Sequence, residues 1–249
     1  MTKTKYLLAI DIGNSSISYG FFKSGRLIRF WYGKDDIIPK IVQFINKCGV
    51  NSYNHQVIVS SVNPERLKQV TKRLPIKPLV IGRDIQVKIS HKYFNINKLG
   101  KDRLVNLYGA SQFYKGPIVL LSFGTALTVD ILSKNKVFLG GLIIPGVETS
   151  LRALEVKAAL LPKNISLQSV KKALIGKSTK ECMALGILQG FGAMVDGLIE
   201  RFQEQYGKDI KIIACGGHAA LIRPFVELPM QIDQTHTLKS LALIYQKEI

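Results

Sequence analysis

Two short turns carry the residues best suited to chemistry: Asp11-Ile12-Gly13-Asn14-Ser15-Ser16 and Ser122-Phe123-Gly124-Thr125. A turn of glycine and small polar residues exposes its backbone N–H groups in a concave nest, which suits phosphate oxygens. Ser15, Ser16 and Thr125 add hydroxyl donors. Asp11 is anionic and would not touch phosphate directly. It is suited to hold Mg²⁺ through water, because that ion keeps several of its waters. Two opposed turns of this kind would clamp a nucleotide.

A third segment, Lys98-Leu99-Gly100-Lys101-Asp102-Arg103, enters a helical pattern through Leu104, Leu107 and Ala110. An Asp–Arg pair at a helix start is commonly an N-terminal charge and a surface ion pair. By spacing alone this is the favoured account, ahead of a chemical role. Two other segments mislead. Lys171–Thr179 ends like a phosphate-binding loop, but Lys171 occupies its first glycine position. Gly190-Phe191-Gly192 opens a dinucleotide pattern, but Val195 stands at the third glycine. Cys48, Cys182 and Cys215 are odd in number and lack metal-ligand spacing, so they read as reduced, mostly buried thiols.

The elements that position these turns recur. Tyr6–Ile10 is an apolar run suited to a strand buried on both faces, followed by a turn, a strand at Ile17–Phe22, a second turn and a strand at Arg26–Trp31. A helix is expected over Ile37–Cys48, a strand at Gln56–Ser60, a helix at Pro64–Arg73 and a strand at Pro78–Ile81. The meander returns as Gly116–Leu121, the second turn, Ala126–Leu132 and Val137–Leu139 running into Gly140-Gly141. Set Gly13 over Gly124, and Asp11 falls on Ser122, Asn14 on Thr125 and Lys23 on Lys134. The chain therefore reads as α/β, two copies of one unit over about residues 1–114 and 115–249. The longest helical pattern, about Thr179 to Tyr206, has a stripe of Ile187, Phe191, Met194, Leu198 and Phe202. Gly186 and Gly190 on it suit a close helix approach, either within the chain or across a dimer seam.

Composition narrows the class. A chain of 249 residues that is 47% hydrophobic can build real cores. The apolar run at the N-terminus stops at Asp11, too short for a signal peptide, and a cytoplasmic protein with no membrane span is expected. The formal charge of +18 is spread along the chain without long basic runs, so no nucleic-acid partner is expected. Such a surface would attract anionic substrates.

Taken together, the segments resemble the type III pantothenate kinases, within the actin-like (ribonuclease H-like) superfamily of acetate and sugar kinases. AIDIGNSSISYG is similar to the family's first phosphate motif, and LLSFGTALTVD, followed by FLGGLIIPG, to the second. HKYFNINKLGKDRLVN is similar to its substrate motif, GKSTKECMALG to a motif that meets substrate across a dimer, and ACGGHA to a Gly-Gly element near the nucleotide. The resemblance implies two duplicated actin-like domains with a nucleotide cleft between them. It implies a homodimer that phosphorylates pantothenate with ATP and Mg²⁺ in the first step of coenzyme A synthesis. Asp11, Ile12, Gly13, Asn14, Ser15, Ser16, Ile17 and Ser18 would form the first phosphate loop, and Thr125 would belong to the second. Tyr93, Gly100, Lys101 and Arg103 would border pantothenate, with Thr179 reaching in from the partner subunit, and Asp102 would be a general base of ordinary pKa. The family usually places an Asp where Ser122 stands, as ligand to potassium or ammonium. A hydroxyl there supplies no charge, so this cation site is expected to be lost or much weakened. Bvg accessory factor-like proteins share the family, which leaves a non-catalytic binding or regulatory protein as the alternative.

Overall fold

The structure is a computed structural model that describes residues 6–33, 38–47 and 55–249. It divides into two compact units: Met1–Tyr114 with Thr235–Ile249, and Lys115–Gln234. In the first, β1 (Tyr6–Ile12), β2 (Ile17–Lys23) and β3 (Arg26–Gly33) form an antiparallel meander. Ser24 and Gly25, both with positive φ, make the tight second turn, whose twist matches the flanking strands. Next come α1 (Ile38–Lys47), β4 (His55–Ser61), α2 (Pro64–Arg73), β5 (Leu79–Val80) and α3 (Lys101–Phe113). β4 lies parallel to β1 and β5 parallel to β4, giving the order β3-β2-β1-β4-β5. The central strand β1 buries Leu7 to Ile10, as its continuous apolar run requires.

The second unit repeats this plan. β6 (Ile118–Phe123), β7 (Ala126–Leu132) and β8 (Phe138–Pro145) are an antiparallel meander, and β9 (Lys211–Cys215) and β10 (Gln231–Ile232) extend it in parallel from β6. The order β8-β7-β6-β9-β10 reproduces that of the first sheet strand for strand. Between β8 and β10 the chain also forms α4 (Val147–Lys157), α5 (Thr179–Tyr206) and the short α6 (Ala219–Ile222). The core joins Val119, Leu121, Leu127 and Val129 of the sheet to Ala184, Leu188, Val195 and Ile199 of α5.

Several expectations need correction. The core stripe of α5 lies one residue away from the expected one: Ile187, Met194, Leu198 and Phe202 flank it, and Phe191 alone is shared and buried. Ser122 and Phe123 finish β6 rather than forming a turn, and Gly140 and Gly141 lie inside β8. Cys182 is exposed and Cys215 buried, while Cys48 lies outside the described residues, as does Ile37. α5 is long and apolar enough to cross a bilayer by length and composition, unlike anything expected from the sequence, but one face of it packs in the core.

The domain division also differs. The sequence assigns 115–249 to the second unit, but the last helix, α7 (His236–Glu248), packs on α3 of the first. Gly109 permits the close crossing, since a Cβ there would lie 1.8 Å from Ser240 Oγ. Buried His236 donates through Nε2 to Asn106 O at 2.9 Å, and Tyr108 donates to Glu248 at 3.1 Å.

Candidate active site

In the first unit, β1 delivers Asp11 to its C-terminal end, and the chain reverses at once into β2. The reversal closes with Gly13 N donating to Ser16 O at 2.9 Å, and Asn14 and Ser15 are exposed at its tip. Ile12 and Ile17 are buried, so these two can meet a ligand only through their backbone. Ser18 lies opposite Asp11 on β2, and Ser60 lies opposite it on β4.

Asp11 is electrostatically unusual. Burial raises its pKa from 3.8 to about 7, helped by repulsion from Asp102, while the Ser60 hydroxyl acts in the opposite direction. By distance and angle, however, neither Asp11 Oδ1 nor Ser60 Oγ makes a hydrogen bond, so the hydroxyl's help is weak. A buried carboxyl oxygen without a partner, beside a second carboxyl, fits a hard divalent cation held by one carboxylate and waters. No cluster of three or more candidate metal ligands exists among the described residues.

Asp102 sits in the first turn of α3. Its Oδ1 accepts from Arg103 N at 2.8 Å and lies over Gly100, where a Cβ would come within 2.6 Å of it. Gly100 is thus the helix cap because the carboxylate occupies the space a side chain would fill. Burial raises the Asp102 pKa, and the backbone and charge of Arg103 pull it back only in part. The expectation of an ordinary carboxylate is therefore wrong: desolvation raises its pKa above the usual carboxylate value. Arg103 itself is buried, unlike the surface ion pair that spacing suggests. Lys101 lays its alkyl chain against Gly82, which turns with φ of +84°. Tyr93 is half-buried, and its carbonyl accepts from His91 Nδ1 at 3.0 Å.

In the second unit, the Gly124–Thr125 turn is held from behind. Thr125 O accepts from Gly146 N at 3.0 Å and from Thr149 Oγ1 at 2.6 Å. Gly146 and Gly216 press against the same turn: a Cβ on Gly146 would meet Gly124 O at 2.4 Å, and one on Gly216 would meet Phe123 O at 2.5 Å. Neither glycine stands out as a support from residue type alone, although both lie in the motifs FLGGLIIPG and ACGGHA. Ser122 Oγ lies 3.2 Å from the thiol of Cys215, its neighbour across the β6–β9 ladder. A neutral hydroxyl paired with a neutral, soft sulfur is a poor donor set for potassium or ammonium, and the residues here do not fit that ion. Thr179 is exposed as the first residue of α5, behind a capping box in which Glu181 N donates to Ser178 Oγ and Lys177 N to Glu181.

Solved structures share the fold: the activator of 2-hydroxyisocaproyl-CoA dehydratase from Clostridium difficile, with bound ADPNP, has a TM-score of 0.55 at 12% identity, over 98% of this chain and 95% of its own. Component A of (R)-2-hydroxyglutaryl-CoA dehydratase from Acidaminococcus fermentans gives 0.55 at 14% identity, over 98% of both chains. With the repeated sheets, these make the fold actin-like α/β. A type III pantothenate kinase from Moorella thermoacetica is 34% identical over 253 residues, covering 97% of this chain and 99% of its own. One from Bacillus cytotoxicus is 32% identical over 254 residues, covering 97% and 96%. The family model described as type III pantothenate kinase matches residues 7–201, and with relatives this similar over nearly the whole chain, the protein belongs to the type III pantothenate kinase family.

Proposed function

We propose that this protein transfers the γ-phosphoryl group of ATP to the hydroxyl of pantothenate, giving ADP and 4′-phosphopantothenate. The observation that carries this is the end-to-end relationship to type III pantothenate kinases. Each unit carries one phosphate loop of its own, at Gly13–Ser16 and at Gly124–Thr125. Tyr93, Gly100, Lys101 and Arg103 hold pantothenate, and Arg103 supplies the buried positive charge a carboxylate substrate calls for. Asp102 accepts the proton of the attacking hydroxyl. Burial raises its pKa, which makes it a stronger base than an ordinary carboxylate. The loose transition state of phosphoryl transfer asks chiefly for alignment, which the Arg103 N–H and the space above Gly100 impose on that carboxylate. Asp11 would hold Mg²⁺ through water, and the ion when bound offsets charge on the phosphate oxygens. Potassium or ammonium has no part in this account, because Ser122 and Cys215 do not fit it.

The active assembly is a homodimer built on α5. Gly186, Gly190 and Gly197 face open space, so no contact within the described chain explains them. Each costs helix stability of roughly 1 kcal/mol relative to Ala. The exposed apolar side chains Leu154, Val156, Leu174 and Ile175 belong to the same unit. A second copy would cover such a surface, and Thr179 would reach the partner's substrate. Its need for ATP places the reaction in the cytoplasm. Incubation with ATP and pantothenate, followed by mass spectrometry, should give phosphopantothenate; ATP binding without this product would leave an accessory protein instead.

A further inference from the structure

Arg66 lies in the first turn of α2, a helix that carries none of the residues discussed so far. Its Nη1 donates to two successive carbonyls of the first phosphate loop, Gly13 O and Asn14 O, each at 3.1 Å. The segment holding Arg66 is fastened to the same loop. Val62 N donates to Ile12 O at 3.1 Å, and Asn63 Oδ1 caps the helix by accepting from Arg66 N at 3.0 Å. Ser61 Oγ in turn donates to Asn63 O at 3.0 Å and accepts from Asn63 N at 3.1 Å. The guanidinium is thus delivered by a braced strand end and a capped helix start.

Peptide geometry gives this contact a consequence. The Gly13 carbonyl shares a rigid plane with the Asn14 N–H, and the Asn14 carbonyl shares one with the Ser15 N–H. No peptide among the described residues is cis, so each N–H points away from its carbonyl. We infer that Arg66 is a positioning residue for ATP: by holding both carbonyls on its own side, it aims the Asn14 and Ser15 amides toward the phosphates. The guanidinium also places a positive charge behind the loop, which favours an anion in front of it. This rests on the assignment of residues 11–18 as the ATP phosphate loop.

Three variants test it: Arg66→Met, which keeps the apolar stem and removes the donors, Arg66→Lys, which restores charge and donors, and Gly13→Val, which distorts the loop directly. Arg66→Met should raise KM for ATP about tenfold or more, as expected for loss of charge-assisted hydrogen bonds. It should leave KM for pantothenate unchanged and change kcat far less, and Arg66→Lys should recover most of the loss. In the ligand-free protein, hydrogen exchange at residues 13–16 should quicken in Arg66→Met while the β1 core stays protected. If Arg66→Met fails to fold, Arg66→Gln replaces it in both measurements. An unchanged KM for ATP in the Arg66 variant, with Gly13→Val raising it, overturns the inference and leaves the phosphate loop standing. If Gly13→Val also leaves KM for ATP unchanged, the loop assignment falls and takes the inference with it.

Discussion

Asp11 and Asp102 are two carboxyls drawn into one partly desolvated region, and that environment sets what each can do. With a pKa near 7 against 3.8, folded Asp11 holds a proton that the unfolded chain releases between about pH 4 and pH 7. The folded state binds more protons across that window, so the stabilising contribution is full at low pH and is lost as pH rises through 7. Asp11→Asn removes this titration. Without nucleotide or Mg²⁺, the variant should melt several degrees above the parent at pH 8, and the gap should narrow toward pH 5. A gap independent of pH would mean that the carboxyl is not desolvated. Ser122 carries the next prediction. Since its hydroxyl and the Cys215 thiol form a neutral pair, kcat/KM for ATP should stay flat across a potassium titration at constant ionic strength. A strong, saturable potassium requirement would contradict the poor fit of this site.

Among the elements, the glycines of α5 divide into two kinds. Gly192 is pressed against the chain, with a Cβ there only 2.0 Å from Phe225 O, whereas Gly190 meets nothing. Gly192→Ala should therefore destabilise the subunit by about 1–3 kcal/mol, as overpacking does. Gly190→Leu should leave the subunit folded but shift its sedimentation from dimer to monomer. If the two variants behave alike, the open face of α5 is not a seam. α2 and α5 were legible in the sequence to the residue because their starts are written in local chemistry: Asn63-Pro64 in one, Ser178 with Glu181 in the other. α4 and α7 were not, since Gly146 and Thr235 provide no side-chain cap. In α7 the packed face also carries buried His236 and Ser240, which interrupt the apolar period. The α5 stripe came out one residue off because small Ala184 and β-branched Val195 are the fully buried positions, while the larger Ile187 and Met194 are only partly buried against the core. The reversal at Gly13–Ser16, the Gly124–Thr125 turn and the place of Asp102 in the first turn of α3 were legible in the sequence. The raised pKa values were not, because Asp11 and Asp102 meet only in the folded unit. Arg66 was invisible for a similar reason: a side chain that holds backbone carbonyls leaves no pattern in residue types.

On the scale of the whole molecule, two sheets of the same strand order express an internal duplication that the paired turns already suggested. The copies have diverged in what they carry. The first bears the two carboxyls and the segment proposed to hold pantothenate, while the second bears α5 and the Ser122–Cys215 pair. A subunit of this kind depends on its partner if Thr179 acts across the dimer. Mixing Asp102→Asn subunits with Thr179→Arg subunits should then restore part of the activity, since one composite site in each heterodimer is intact. Mixtures that have exchanged subunits yet stay inactive would remove the shared site. The net charge of +18 fits a protein whose two substrates are anions. The central claim is tested most directly by coupled ADP release at pH 7.5 with Mg²⁺, measured with and without pantothenate, in the parent protein and Asp102→Asn. ADP should appear only when pantothenate is present, and Asp102→Asn should lower kcat by about 10²–10⁴-fold while remaining folded. ADP release that ignores pantothenate, or none at all from a protein that binds ATP, would contradict the assignment.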